Sequence, residues 1–203
     1  MPMLTVSGRA FDPKCLAAGV MIEAVCLPDV AHALAQICRF GGHCKRHYSV
    51  AEHSLFVAEI LRFRGIPAAG QLAGLLHDAH EAYCGDMPTP IKRALGEPWR
   101  EFESGVEKAV HDALGVSALM ETWQAAVDDA DLCALVTEIR ALFLVPMDAE
   151  ARMRALGLDH VEPHSVVPGA DAPGDSLAQR FLERYHTLRQ DILDRSPAAR
   201  QER

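Results

Sequence analysis

The segment from Ala68 to Cys84 sets the hardest constraint on what this chain can fold into. It is apolar nearly all round through Leu72, Leu75 and Leu76, and then carries His77 and Asp78. A stretch that is apolar on every face reads as a helix through the middle of a core, with Pro67 suited to its first turn and Gly85 to its end. A carboxylate in that setting is costly unless something cationic meets it. His53 poses the same problem, because it shares a helical face with Val50, Phe56, Val57 and Ile60 and so puts an imidazole on a buried stripe. The fold has to bring a partner to each of these groups.

The remaining segments are mostly helical too. Asp29 is positioned to cap a helix reaching Phe40, where Gly41-Gly42 stops it. Ser49 and Glu52 form a capping box that opens a helix to about Phe63. Pro98 to Leu114, Ser117 to Val127 and Asp129 to Val145 read as three more helices, and a short turn-helix holds Lys92. In the last helix, Ala178, Phe181, Leu182, Tyr185, Leu188 and Ile192 recur at the helical period. Leu4-Thr5-Val6 and Val20-Met21-Ile22 are short and β-branched, fitting two brief strands or an extended lead-in. Prolines and glycines from 146 to 175 predict an irregular surface excursion, and 196 to 203 a frayed tail. The expected architecture is one mainly α-helical domain over residues 1–203 with a short extended or two-stranded N-terminal lead-in.

Composition bounds the function. With 203 residues, 49% of them apolar and 24% charged, the chain can bury a sizeable core, which excludes a disordered scaffold. No apolar run approaches the roughly 20 residues of a membrane span, and Met1 to Ala10 lacks the order of a signal peptide, so the cytoplasm is the default expectation. The net charge of −8 argues against duplex nucleic acid as a partner, so any anion site must be local. Arg39, Lys45 and Arg46, with no acid between residues 39 and 47, make such a cluster, and an arginine fork can hold two phosphate oxygens. The six cysteines, Cys15, Cys26, Cys38, Cys44, Cys84 and Cys133, include no C-x-x-C pair and read as reduced thiols.

A His-Asp dipeptide alone is weak, since ten histidines in 203 residues make a chance pair ordinary; His111-Asp112 is another and reads as a polar helix end. His77-Asp78 gains from its company. His53 lies on another buried helix, and Asp131 opens a third with Leu132, Leu135 and Ile139. Two imidazoles and two carboxylates suit one divalent ion (Mn, Co, Ni, Zn, Fe or Mg), with positions left for water and substrate. A satisfied buried histidine and a capping aspartate are the plain alternative.

The order His53, His77-Asp78, Asp131 resembles the HD-domain metal-dependent phosphohydrolase superfamily. The segments Arg39 to His43, Tyr48 to Ser54, Leu75 to Ala82 and Gly85 to Lys92, with Ala130-Asp131 and Thr137-Glu138, resemble its bacterial and phage 5′-deoxynucleotidase-like branch. The resemblance covers residues 4 to 145 and, more weakly, the last helix. It implies an HD-type helical bundle with His53, His77, Asp78 and Asp131 as metal ligands. It implies Glu81 as the residue that orients or deprotonates the attacking water, and Asp86 as a second acid assisting that water or the leaving oxygen. Arg39, with Lys45 or Lys92, would hold the phosphate. The nucleotidases place a tryptophan next to that arginine, and here Phe40 stands there, a departure that bears on sugar selectivity.

The expected activity is a 5′-(deoxy)nucleotidase on nucleoside monophosphates. Its partner is a small-molecule nucleotide, with no membrane, and a homodimer is compatible. A triphosphohydrolase of nucleoside triphosphates is the alternative within the class. A di-iron oxygenase would need further ligands such as His80 and His111, and no second histidine set stands out, His80 reading as a partly exposed helix-end residue. A non-catalytic nucleotide-binding module is disfavoured by the intact Glu81 and Asp86. Tyr48 and Tyr83, which flank the motifs, suit either base stacking or the core.

Overall fold

The computed structural model describes residues 1–14, 24–143, 149–165 and 174–195. The expected strand at Val20-Met21-Ile22, Cys15, parts of the 146–175 excursion and the 196–203 tail lie outside these. The N-terminal strands are β1 (Met3–Leu4) and β2 (Ala10–Phe11), antiparallel with Met3 opposite Phe11 and Leu4 opposite Ala10. All other regular structure among the described residues is helical, so the chain is mainly α with a two-stranded lead-in.

Helix α1 (Leu27–Gln36) starts at Cys26 and not at Asp29, and ends four residues before Phe40. Asp29 is otherwise engaged: its carboxylate accepts from the Ser7 backbone N–H at 3.2 Å and the Ser7 hydroxyl at 2.7 Å, tying the β-lead-in to α1. After α1 the backbone is extended, with Val50 N–H donating to the Ile37 carbonyl and Arg39 N–H to the Tyr48 carbonyl. Arg39–Gly42 then forms a tight 3₁₀ turn, in which Phe40 takes a φ of 58°. A phenylalanine there is a strained placement of the kind that gathers at functional sites.

Helix α2 (Val50–Phe63) begins with the expected capping box, both reciprocal bonds between Ser49 and Glu52 being present. The apolar segment does not run as one helix. It breaks into α3 (Ala68–Leu76) and α4 (Glu81–Cys84), and across the break the N–H groups of Ala79 and Glu81 bond to carbonyls three residues back. That tight turn presents His77 and Asp78 instead of burying them along a helix side. Then come α5 (Thr89–Leu95) and α6 (Glu97–Leu114). Residues 117 to 142, expected as two helices, are one, α7 (Ser117–Leu142), since Asp128-Asp129 supplies no breaker where neither Gly nor Pro occurs. The described part of the excursion is more ordered than expected, with α8 (Ala149–Ala155) putting Met153 in the interior. The last helix among the described residues is α9 (Gly174–Asp194).

Helix α3 is central, packing on α2, α7 and α9. Gly74 allows the α2 contact, since a Cβ there would sit 2.3 Å from Leu61 Cδ1 and 3.2 Å from Val57 Cγ1. Leu61, Val57, Leu72, Leu75 and Leu76 are fully buried. This close crossing sets His53 on α2 beside the turn that follows α3. Among the described residues, no helix is long and apolar enough to cross a membrane.

Candidate metal centre

His53, His77, Asp78 and Asp131 converge. His53 Nε2 lies 3.0 Å from Asp131 Oδ1 and 3.5 Å from Asp78 Oδ2, while His77 Nε2 lies 3.1 Å from the same Asp78 oxygen and 4.0 Å from Asp131 Oδ1. One ligand atom each from His53, His77 and Asp131 falls within 4.8 Å of the others. α2, the turn after α3, and α7 each deliver part of the set.

The donor chemistry fits a metal. His53 Nδ1 is 2.7 Å from Glu138 Oε1 and His77 Nδ1 is 2.8 Å from the Gly74 carbonyl oxygen, so whenever either ring is neutral, as a metal ligand must be, Nδ1 carries the proton and Nε2 keeps a lone pair. Both Nε2 atoms are buried without a hydrogen bond. A ring held by an acceptor at one nitrogen and pointed inward at the other is how metal-binding histidines are oriented. Charge points the same way. Asp78 and Glu138 pair with the Arg39 guanidinium, and Asp131 adds its charge from farther away, so among the described residues three carboxylates are set against one cation. Burial and Arg39 pull the His53 imidazole down, but Glu138 and Asp131 outweigh them and its pKa is pushed up to about 9. The same surplus of negative charge attracts a divalent ion.

Glu138 entered the sequence reading only within the Thr137-Glu138 resemblance and was given no role there. It is fully buried, accepts from Tyr48 Oη at 2.8 Å as well as from His53, and pairs with an Arg39 nitrogen at 3.3 Å. Its seven-residue spacing from Asp131 on one helix puts both on one face, which was the available signal. Tyr48 is accordingly a core residue. So is Tyr83, whose ring stacks on Phe11 at 4.4 Å.

A cleft of about 620 Å³ opens over the centre. Arg39, Asp78, Glu81, Asp86, Lys92, Arg93 and Asp131 supply its polar lining, and Phe40, Leu135, Ile139, Phe143, Leu156 and Leu158 an apolar wall. Phe40 and Phe143 meet edge to face at 5.2 Å, with the Arg39 guanidinium 5.3 Å from the Phe40 ring centre. Glu81 is buried rather than a surface carboxylate, and its Oε2 has no hydrogen-bond partner. Burial, then the neighbouring Asp78 and Asp86 carboxylates, push Glu81 well above the usual carboxylate range. Burial raises Asp86 as well, against the pull of Arg39.

The expected cations are placed unequally. Arg39 is buried and tied to Asp78 at 3.6 Å and to Glu138, so it braces the centre as well as facing the cleft. Lys92 lines the cleft but pairs with Glu103 at 2.6 Å. Lys45 does not line it: its ammonium donates to the Ala141 carbonyl oxygen at 3.1 Å, satisfying the C-terminal end of α7. Arg46 bonds Glu52 at 2.8 Å. Arg93, not singled out in the sequence, lines the cleft and has no carboxylate partner among the described residues. His80 and His111, expected near the surface, are both buried, at 7% and 6% exposure.

No family model matches the chain. Over 99 residues it is 42% identical to an uncharacterized protein of Rhodobacter capsulatus, RCAP_rcc00048, a match covering 46% of this chain and 50% of that protein. Over 166 residues, 82% of this chain and 85% of the relative, it is 33% identical to the uncharacterized protein YfdR of Escherichia coli K12. At that identity and coverage, the chain belongs to the family of YfdR.

Proposed function

We propose that this chain is a metal-dependent phosphohydrolase of the HD type that releases phosphate from a nucleoside monophosphate. The observation that carries the reading is the pair of buried, inward-facing Nε2 atoms of His53 and His77, meeting two aspartates beneath a cleft lined by two further acids and three cations. His53, His77, Asp78 and Asp131 would hold one divalent ion, which supplies Lewis acidity toward a phosphoryl oxygen and makes water easier to deprotonate. Glu81 takes the proton of the water that attacks phosphorus. Asp86 gives a proton to the ester oxygen as its bond to phosphorus breaks, and Arg39 neutralises the phosphate. The apolar wall at Phe40 and Phe143 receives the nucleoside.

Cationic capacity favours the monophosphate. A monophosphate brings about two negative charges, whereas a triphosphate brings about four. Lys92 is held by Glu103, and Lys45 and Arg46 are bound elsewhere, which leaves the ion, Arg39 and Arg93. The test is incubation of metal-loaded protein with a deoxynucleoside monophosphate and the matching triphosphate, followed by phosphorus NMR. Orthophosphate from the monophosphate is expected. Tripolyphosphate from the triphosphate, with the monophosphate untouched, replaces the substrate, and no phosphate release from either removes the hydrolase reading.

A further inference from the structure

The cleft over the metal centre is polar at one end and apolar at the other, and α7 contributes to both. Asp131, Leu135 and Ile139 follow one another at four-residue intervals on that helix, so they share a face. At the helical rise, Leu135 lies about 6 Å and Ile139 about 12 Å along the axis from Asp131. A molecule with its charged end at the metal and its other end over Ile139 has the proportions of a nucleoside monophosphate.

Phe40, Phe143 and two leucines at the end of α8, Leu156 and Leu158, complete the apolar end. The end of α8 lies outside residues 4 to 145, which carry the resemblance to the nucleotidases. It is nevertheless firmly built. α8 closes in a Schellman turn, in which Gly157, at a φ of 70°, donates its N–H to the Arg154 carbonyl oxygen at 3.0 Å and Leu158 donates to that of Met153 at 2.7 Å. The Met153 side chain is fully buried and anchors the turn from within. Farther on, the Cys133 thiol donates to the Glu162 carbonyl oxygen at 3.2 Å and the His164 N–H donates to the Thr137 hydroxyl at 2.8 Å, which ties the chain back to α7.

Held in this way, Leu156 lines the cleft and is 52% exposed. An exposed leucine is ordinary by itself; here it extends a wall of five other apolar side chains next to a polar site, the usual make-up of a small-molecule pocket. Phe40, Leu135, Ile139, Phe143, Leu156 and Leu158 carry no hydrogen-bond donor or acceptor in their side chains. Such a wall does not read the edge of a base. It rewards the area of a flat ring, and a purine offers more area than a pyrimidine.

We propose that Leu156 and Leu158 complete a base-binding wall that selects purine nucleoside monophosphates by ring area and not by their exocyclic groups. The assignment rests on the nucleotide reading of the cleft and adds which part of the substrate is selected, and by which residues.

Binding is measured by titration calorimetry on metal-loaded, full-length Glu81→Gln protein, so that no ligand is consumed, and phosphate release is measured separately on the wild type. The ligands are deoxyadenosine monophosphate, the same nucleotide with unsubstituted purine as its base, thymidine monophosphate, and deoxyribose 5-phosphate, which has no base. The two purine ligands should bind alike and thymidine monophosphate more weakly. Deoxyribose 5-phosphate should bind at least ~10-fold more weakly than the purines, the scale of stacking and burying one base. Adding Leu156→Ala should weaken the purine ligands by about 3- to 10-fold and leave deoxyribose 5-phosphate unchanged, whereas Leu156→Met should keep the purine affinity. Circular dichroism melting checks the fold of each variant, and the ligand series on the unchanged wall decides by itself if Leu156→Ala does not fold. Equal affinity for deoxyadenosine monophosphate and deoxyribose 5-phosphate overturns the wall, and orthophosphate release by the wild type then leaves the nucleotidase reading standing. A clear loss on removing the exocyclic amine shows that the edge is read and overturns it too, as does weakening of every ligand alike in Leu156→Ala. The expected gradient without phosphate release supports the wall and removes the hydrolase. Absence of binding by all four ligands overturns the wall, whatever the wild type hydrolyses.

Discussion

Glu138 Oε1 lies 2.7 Å from His53 Nδ1, and this contact decides which nitrogen of His53 is available to a metal. The same carboxylate accepts from Tyr48 and pairs with Arg39, so one buried group orients a ligand, anchors a core tyrosine and balances a guanidinium. Glu138→Gln keeps the shape and loses the charge. Its amide can also present an N–H to His53, which favours the wrong tautomer. The expected result is metal affinity lower by about 10- to 100-fold, read by competition with a chromogenic chelator. Glu138→Ala should also cost about 3–5 kcal/mol of stability in urea, because Arg39 is left with a poorly matched buried charge. Wild-type metal affinity in Glu138→Gln would remove the orienting role.

Glu81 and Arg39 separate chemistry from binding and support. Glu81→Gln is close in shape and, if Glu81 receives the proton of the attacking water, should retain metal and nucleotide while turnover falls at least ~100-fold. Arg39→Ala mixes two effects, because Arg39 faces the cleft and also pairs with Asp78 and Glu138. Arg39→Lys keeps the charge and loses the fork. It should raise KM and lower kcat with a smaller loss of stability than Arg39→Ala. Kinetics unchanged in either conservative variant, measured with the monophosphate, would take that residue out of the mechanism.

How far the sequence could be read depended on whether a signal was local. The Ser49–Glu52 capping box and the apolar row of α9 are local patterns, and both elements formed where they were expected. The polar groups in the apolar segment showed that His53, His77 and Asp78 needed partners, and the structure brings the four expected ligand residues together. What was not legible came from tertiary competition. Asp29 had the right residue type for a helix cap but is taken by Ser7, 22 positions away. Lys45 had the right charge for a phosphate but is nearer to carbonyls at the end of α7. His80 and His111 read as helix-end residues because the turn at 77 to 80, which folds one against the other, has no glycine or proline to announce it.

Gly74 tests whether the α2–α3 crossing matters to the centre. In a helix interior, glycine to alanine gains roughly 1 kcal/mol of propensity. Here the new Cβ would fall 2.3 Å from Leu61 Cδ1, and Leu61 is fully buried with Val57 beside it. Overpacking of a tight core costs about 1–3 kcal/mol, so the net sign should be destabilising. Because α2 carries His53 and α3 leads into His77, Gly74→Ala should also weaken metal binding. Thermal melts with and without added Zn²⁺ report both effects; a Tm above that of the wild type would show that the crossing has slack.

The last prediction concerns pH and lies away from the centre. Burial alone would raise the pKa of Asp29, but hydrogen bonds from Thr5, Ser7 and Cys26 outweigh it and hold the carboxyl below its ordinary value. The unfolded chain has the ordinary aspartate value near 3.9, so between the two values the unfolded state binds more protons and stability rises with pH. The contribution is complete above about pH 5 and disappears as pH falls through the folded-state value. Hydrogen bonds to a charged acceptor of this kind, at a site bordered by exposed Ser7, are worth about 1 kcal/mol. Asp29→Asn removes the titrating charge and resembles the protonated form. Urea unfolding should therefore show the wild type ahead of Asp29→Asn by about 1 kcal/mol near neutral pH, with the gap closing as pH falls through the folded-state value. Protection of the Ser7 amide from hydrogen exchange should fall in parallel. A gap that stays constant across that range would mean that Asp29 stabilises the lead-in through shape and not through its charge.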